Sequence, residues 1–214
     1  MAIDNRPYGT GTFVAPAQPR PGEAALEAAL VVLTFALAMI AAWLLKDGVQ
    51  LRTAGYTSPD GQVSVAYPAS WFAAQGGATP AGGSTLLDVY DPESATAFPA
   101  RFQIQRRPVP AGSSLAQLRA VTANDRDLTL QDYRELSSHE VTLGGHPAIQ
   151  VSYGYVASPP PGAGPATLPI VAQATDELAI DGGQLLTFTS MSDASAGPAT
   201  QSTLERIWQS VRLK

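Results

Sequence analysis

The chain has 214 residues, and 13 Lys plus Arg against 18 Asp plus Glu give it a net charge of −5. Its charged fraction of 14% lies well below the roughly 25% of an average soluble protein, so part of the chain is expected to avoid water. The acidic balance argues against nucleic-acid binding, and the lack of cysteine excludes disulfides, Cys-ligated metals, thiol catalysis and a lipid-modified N-terminal Cys.

Residues 1–23 form the first predicted segment, a tail without regular structure. They are rich in Pro and Gly, which disfavour helices and strands. The tail also carries four apolar candidates for docking to a partner: Ile3, Tyr8, Phe13 and Val14. Two interpretations stay open, a docking segment captured by a partner surface or a plain solvated tail.

Residues 24–46 are predicted to form a transmembrane helix. Within them, Ala28–Leu45 is apolar except for Thr34, and a helix of this length measures about 27 Å, close to the roughly 30 Å hydrocarbon core of a bilayer. A cleaved signal peptide is the main alternative. The long apolar run, the long polar lead and the lack of a small-x-small cleavage motif favour a retained anchor. Basic residues are nearly balanced on the two sides, so charge alone does not orient the helix.

Small residues form one stripe along this helix. Thr34, Ala38 and Ala42 fall at positions i, i+4 and i+8, where another helix could approach closely. A helix so rich in alanine also produces such a stripe by chance, and the two interpretations carry equal weight.

After a linker at residues 47–54, the segment 55–214 is predicted to form a folded domain. Alternating apolar residues between turn signals are typical of strands. The predicted strands are Gln62–Tyr67, Leu86–Tyr90, Arg101–Arg106, and two hairpins, Tyr133–Thr142 with His146–Ala157 and Leu168–Ile180 with Gln184–Ser192. Phe102 and Ile104 are expected to face inward.

Two helices complete the predicted domain. Ser113 and Ser114 offer N-caps for a helix of about 12 residues, with an apolar side made of Leu115, Leu118 and Val121. Pro198 suits the first turn of a closing amphipathic helix with apolar residues at Leu204, Ile207, Trp208 and Val211. The order of elements predicts an α+β fold in which helices cover an antiparallel sheet.

Three stretches of the domain resemble PsbP-like domains: Tyr56–Phe72, Val141–Tyr155 and Thr187–Leu213. The resemblance implies an α-β-α sandwich outside the cytoplasm, acting as an accessory protein on a membrane complex without enzymatic activity. Members outside photosystems are often lipoproteins, whereas this chain has no cysteine to acylate and would use a transmembrane anchor. The orientation implied is a plasma-membrane protein with a cytoplasmic N-terminus and a domain on the periplasmic side.

Candidate metal ligands are few. His139 and His146 flank a predicted hairpin turn, where they could face each other beside Glu140. An acidic stretch could hold calcium through Asp88, Asp91 and Glu93. Solvated histidines and a solvated loop are the commoner outcomes, so we expect no metal, no cofactor and no catalytic residues.

Two further groups have alternative interpretations. The aromatic residues Trp71, Phe72, Tyr153 and Tyr155 could line a pocket, although core packing explains them more simply. Arg106 and Arg107 would leave two positive charges near a strand end, either contacting lipid headgroups or an acidic partner, or lying on a plain exposed edge.

The sequence therefore predicts a non-catalytic accessory or structural subunit of a membrane complex, in photosynthetic or respiratory electron transfer. Its partners would be the lipid bilayer and other subunits, contacted through the helix and the tail. The alternative is a membrane-tethered envelope module that binds a small ligand or a metal ion. An enzyme is a third possibility, which would need a set of titratable groups converging in a cleft.

Overall fold

The structure is a computed structural model that describes residues 21–50, 52–74, 83–94, 96, 98–157 and 169–214. The chain divides into two compact units between Val49 and Gln50, and we describe each by itself. The tail candidates Ile3, Tyr8, Phe13 and Val14 lie outside the described residues.

Helix α1, Pro21–Gln50, lies in the first unit except for its last residue. The helix includes residues 21–23 of the predicted tail and residues 47–50 of the predicted linker. It can begin at Pro21 because proline is well tolerated in the first turn of a helix. Among the residues that the structure describes, no helix is both long enough and apolar enough to cross a membrane. The predicted apolar run continues to Leu45, and the side chains of residues 43–45 are outside the described set.

The small-residue stripe lies on the exposed surface of α1. Thr34, Ala38 and Ala42 are all exposed, and the Thr34 hydroxyl donates to the carbonyl of Leu30 at 2.8 Å. This hydroxyl is therefore satisfied within its own helix.

The second unit is built from antiparallel strands and two helices. Its elements in chain order are β1 Thr53–Thr57, β2 Val63–Pro68, β3 Phe72–Ala73, β4 Ser84–Tyr90, β5 Arg101–Pro108, α2 Leu115–Thr129, β6 Gln131–Leu143, β7 His146–Ala157, β8 Ile170–Asp181, β9 Gln184–Asp193, α3 Pro198–Ser210 and β10 Arg212–Leu213. One sheet has the order β1-β2-β10 and the larger one β3-β4-β5-β9-β8-β7-β6.

Opposite faces of the larger sheet hold separate parts of the core. Leu186 and Phe188 pack with Ile207 of α3 and with the smaller sheet. Leu185, whose side chain points the other way on the same strand, packs with Leu118 of α2. The two helices thus cover opposite faces, and the predicted antiparallel α+β fold is confirmed.

Helix α2 begins as predicted but presents a different face. Ser114 caps it with a reciprocal bond to Gln117, in which each side chain pairs with the other residue's backbone. Leu118 is buried, whereas Val121 is 49% exposed, so the predicted apolar side is only partly covered. The inward face continues from Leu118 through Thr122 to Arg126 in steps of four, which turns Val121 toward solvent.

Arg106 and Arg107 do not lie on a free edge, because β5 lies between β4 and β9 inside the sheet. Arg106 pairs with Asp60, while Arg107 donates to Asp125 at 3.0 Å. The pKa of Asp60 is lowered to about 2, mainly because its carboxylate accepts a hydrogen bond from Ser58 and, second, one from Arg106. Both guanidinium groups are thus ion-paired within the domain.

Candidate functional site

The face of the larger sheet that carries α3 is covered over only part of its width. Apolar side chains of β4, β5 and β9 lie beneath α3 and the smaller sheet. The same face continues across β8 and β7, where it carries polar side chains: Gln173, Thr175 and Glu177 on β8, and Gln150 and Ser152 on β7. This change from apolar to polar creates an open polar surface beside the helix.

Antiparallel register aligns these polar residues in rows across the strands. One row runs from His139 on β6 to Gln150 on β7 and Glu177 on β8. The next row contains Ser152 and Thr175, whose hydroxyls lie 3.2 Å apart. Neighbouring rows on one face are close enough for a single small molecule to contact both.

A groove of about 400 Å³ lies between these rows and α3, and we call it the polar groove. Strands β7–β9 form its floor, and Gln201, Glu205 and Trp208 form the wall on the helix. The Trp208 indole donates to the Ser190 hydroxyl at 3.1 Å, which fixes the helix against the floor. Its volume falls within the range of small-molecule sites, roughly 300–1,000 Å³.

Glu177 is the buried charge of the polar groove, with 8% of its surface exposed. Its Oε1 accepts a hydrogen bond from Gln150 at 2.7 Å. Burial raises the pKa of Glu177, and the Gln150 bond and the nearby His139 offset part of that rise. The groove therefore holds a carboxyl group that ionises less readily than an exposed glutamate.

This raised pKa predicts that Glu177→Gln stabilises the domain at neutral pH. The folded state binds the Glu177 proton more tightly than the unfolded state, so wild-type stability falls as pH rises from the ordinary value of 4.5 through the folded pKa. A neutral glutamine avoids this loss. Thermal unfolding across pH should show a higher Tm for the variant near neutrality and no gain below the ordinary glutamate pKa.

Glu140→Gln serves as the control for this prediction, because Glu140 is exposed on β6 and the variant makes the same change in net charge. An equal gain in Tm for both variants would attribute the effect to net charge instead of burial.

A second polar cluster lies on the opposite face, under α2. Arg126 contacts Asp176 through two hydrogen bonds of 3.1 and 3.2 Å, and Tyr153 donates to the same carboxylate at 3.2 Å. Burial alone would lower the pKa of Arg126, but Asp176 and Tyr153 raise it. The free volume beside this pair is about 10 Å³. The cluster is thus a packed ion pair without room for a substrate.

His139 and His146 do not face each other across the ribbon. Register places His139 opposite Gln150 and His146 opposite Leu143, so the two residues lie four residue steps apart along the ribbon, about 13 Å. Among the residues described, no group of three His, Cys, Asp or Glu side chains is placed to hold a metal ion.

The acidic stretch is likewise not one loop. Asp88 is buried on β4 and accepts from the Nε of Arg101 at 2.6 Å, whereas Asp91 accepts from the backbone of Glu93 at 3.0 Å. These carboxylates serve an ion pair and a turn.

Three of the four aromatic candidates belong to the core. Trp71, Tyr153 and Tyr155 are buried, as the packing interpretation requires. Phe72 differs, because it is 60% exposed at the end of the sheet, where its ring stacks on Tyr90 at 6.0 Å.

The polar groove itself was not predicted from the sequence. Its signal is a set of polar residues at every second position of otherwise apolar strands, as in Gln173, Thr175 and Glu177. Alternation shows that these residues share a face, but strand order decides whether a helix covers them.

Comparison with known proteins supports this fold. The DcrB family profile matches residues 78–210, more than half of the chain. A comparison of this chain with curated protein sequences found no match.

Two solved structures share the architecture at low sequence identity. The solution structure of cyanobacterial PsbP from Synechocystis has a TM-score of 0.53 and 14% identity, over 76% of this chain and 92% of that one. LpqN from Mycobacterium tuberculosis, described as involved in cell envelope biogenesis, has a TM-score of 0.50 and 10% identity, over 76% of this chain and 91% of that one. The resemblance to PsbP-like domains is thereby confirmed at the level of the fold.

Proposed function

The chain belongs to the DcrB family, and from this premise we propose that its folded unit is a non-catalytic accessory module of the cell envelope, held at a membrane by α1. The known involvement of LpqN in cell envelope biogenesis supports an envelope location for a domain of this fold.

The exposed apolar surface of α1 carries the proposal. The described side chains from Ala28 to Ala42 are all exposed, and Leu30, Phe35 and Ile40 are each more than half exposed. A helix that is apolar on every side requires lipid or protein around it. Thr34 is the polar residue between Ala28 and Ala42, and its hydroxyl is satisfied by the Leu30 carbonyl, so this described stretch is compatible with an apolar environment.

Non-catalytic action is favoured by the way the perturbed groups are distributed. Arg126 and Tyr153, whose pKa values are both raised, lie under α2, whereas Glu177 lies on the opposite face of the sheet. An active site needs such groups to converge in one cleft. These groups are divided between two faces.

The finer proposal concerns topology and partners. The N-terminus lies in the cytoplasm, the folded unit lies on the periplasmic side of the plasma membrane, and α1 contacts a helix of another subunit through Thr34, Ala38 and Ala42. The tail residues dock on the same complex, which we propose belongs to photosynthetic or respiratory electron transfer. Small residues at one face allow the close helix approach that this contact needs.

Leu37→Arg in α1 tests the anchor. A charged residue at the centre of a membrane helix costs roughly 2.5–3.5 kcal/mol, so much of the variant should leave the membrane fraction on alkaline extraction, whereas wild type and Leu37→Ile stay. Extraction of the wild-type chain along with the variant would contradict the anchor.

Topology and assembly need separate measurements on the wild-type chain. Protease added to intact spheroplasts should remove the folded unit, and complete protection would reject the periplasmic orientation. Native electrophoresis after mild detergent should show a species larger than the monomer, and migration only as a monomer would contradict the accessory role.

Ligand binding in the envelope is a second candidate function, and the polar groove favours it. The groove has a ligand-sized volume and a buried carboxylate on its floor. An ordinary protein surface seldom buries such a group without a partner.

A further inference from the structure

Glu177 differs from the other buried acids of the domain. Asp88, Asp176 and Glu177 are the buried carboxylates among the described residues. Asp88 pairs with Arg101 and Asp176 pairs with Arg126. Glu177 accepts a hydrogen bond from the neutral Gln150 amide and takes part in no ion pair within the part of the chain that the structure describes. Buried charges are generally paired, and Glu177 is the buried acid among these three whose ionised form has no counter-charge beside it.

The position of Glu177 shows where a cation could enter. Its neighbours on the α2 face are covered, but Glu177 itself lies on the floor of the polar groove, which is open beside α3. His139, which lies in the same row on β6 with its side chain exposed, offsets part of the rise in the pKa of Glu177. A cation approaching through the groove would reach the carboxylate without moving the core.

Charge in the lining selects the sign of the ligand. The groove is lined by two acids, Glu177 and Glu205, and by no Lys or Arg among its described residues. An anionic ligand would meet two like charges, whereas a cationic group would gain charge-assisted hydrogen bonds. The remaining polar lining is neutral and consists of Gln150, Gln173, Thr175, Ser190, Ser192 and Gln201.

We propose that the polar groove binds a small ligand that carries an ammonium group beside hydroxyl or amide groups. The ammonium group donates to the Glu177 carboxylate, and the side-chain amides and hydroxyls of the floor bond the neutral substituents. A lining with so many groups that both donate and accept suits a hydroxylated amine better than an apolar one. The inference rests on the second proposed function, ligand binding by the domain, and is independent of the membrane anchor.

Glucosamine and glucose form a matched pair of probes, since they differ in one ammonium group. Saturation-transfer NMR on the full chain should show concentration-dependent binding of glucosamine and at least roughly tenfold weaker binding of glucose, because a hydrogen bond to a charged group contributes more than a neutral one. Glu177→Gln should weaken glucosamine binding by roughly tenfold or more. This variant is expected to be more stable than wild type, so misfolding would not explain its loss of binding.

Asp127→Asn is the control for net charge, because Asp127 is exposed on α2 and lies outside the groove. It should bind glucosamine as wild type does. Equal binding of glucose and glucosamine would overturn the ammonium assignment while leaving ligand binding intact. Glucosamine binding that Glu177→Gln leaves unchanged, or that Asp127→Asn weakens equally, would overturn the assignment of the site. An absence of binding by both sugars would overturn the proposed ligand class.

Discussion

Replacing Arg126 by methionine is expected to destabilise the folded unit by roughly 3–5 kcal/mol, the typical cost of leaving one member of a buried ion pair without its partner. Asp176 is 2% exposed and receives two hydrogen bonds from Arg126. Arg126 also donates to Thr189 at 3.2 Å and lies over the Tyr153 ring at 5.8 Å. Methionine replaces much of the aliphatic length of arginine and removes its charge, so the loss reports mainly on the uncompensated carboxylate.

A pH dependence should accompany this loss. Without the guanidinium, the buried carboxylate has no counter-charge in its ionised form, whereas a protonated carboxyl group needs none. The difference in unfolding free energy between wild type and Arg126→Met should therefore be largest at neutral pH and shrink as pH falls. Urea unfolding of the full chain, followed by tryptophan fluorescence at several pH values, measures both quantities.

Arg107→Met is the matched control on a neighbouring pair. Arg107 contacts Asp125, whose side chain is 49% exposed, so its removal should cost less than about 1 kcal/mol. Adding Asp176→Asn to Arg126→Met should recover part of the stability, because a neutral amide can still accept from Tyr153. Equal costs for the two arginine variants, or no recovery in the double variant, would contradict the assignment of a buried charge pair.

Strands with a regular alternation of apolar residues were the part of this fold that the sequence predicted well. The hairpin of β6 and β7 and that of β8 and β9 lie within two residues of their predicted limits. Their inward residues face a packed core, so hydrophobic burial and local pattern agree. By contrast, β1 carries few apolar residues, and β10 is two residues long, so both depend on pairing with β2.

The surroundings of Arg106, Arg107, His139 and His146 depend on strand order and register. Arg106 and Arg107 were expected near an exposed strand end, but β5 pairs with β9 along its whole length. Because β9 lies far from β5 in the sequence, local pattern does not reveal this pairing. His139 and His146 have suitable chemistry for a metal, yet the tight turn at Gly144 and Gly145 pairs each with another residue. Local sequence does not determine which distant strand becomes a neighbour.

The polar groove illustrates the same limit for the candidate site. The sequence shows that Gln150, Thr175 and Glu177 interrupt apolar strands. Whether they face solvent, a helix or a groove depends on α3, which comes from the end of the chain and packs over only one side of that face. That Glu177 has no ion-pair partner becomes visible only when the partners of the buried acids in the described part of the chain are compared.

Gly144→Ala is expected to destabilise the domain by more than about 2 kcal/mol, through backbone strain and a steric clash together. Gly144 lies in the turn between β6 and β7 with φ of +57°, and a Cβ at this position would lie 2.6 Å from the backbone nitrogen of Leu213. Leu213 pairs with Val63, and the next backbone N–H, of Lys214, donates to Gln62 at 3.0 Å. The clash therefore involves backbone that cannot move without breaking the pairing of β10 with β2.

Gly145→Ala separates strain from the clash, because Gly145 also has a positive φ, +91°, but a Cβ there meets nothing within 4 Å. Gly145→Ala should lower the free energy of unfolding only by the cost of placing alanine in a left-handed backbone conformation, about 1–2 kcal/mol. Removing residues 212–214 should then make the two alanine variants equally costly, since the group that Gly144 approaches is gone. A difference that persists in the truncated chain would contradict the close approach of β10 to the turn, whereas its disappearance would show that the C-terminal strand is what requires glycine at position 144.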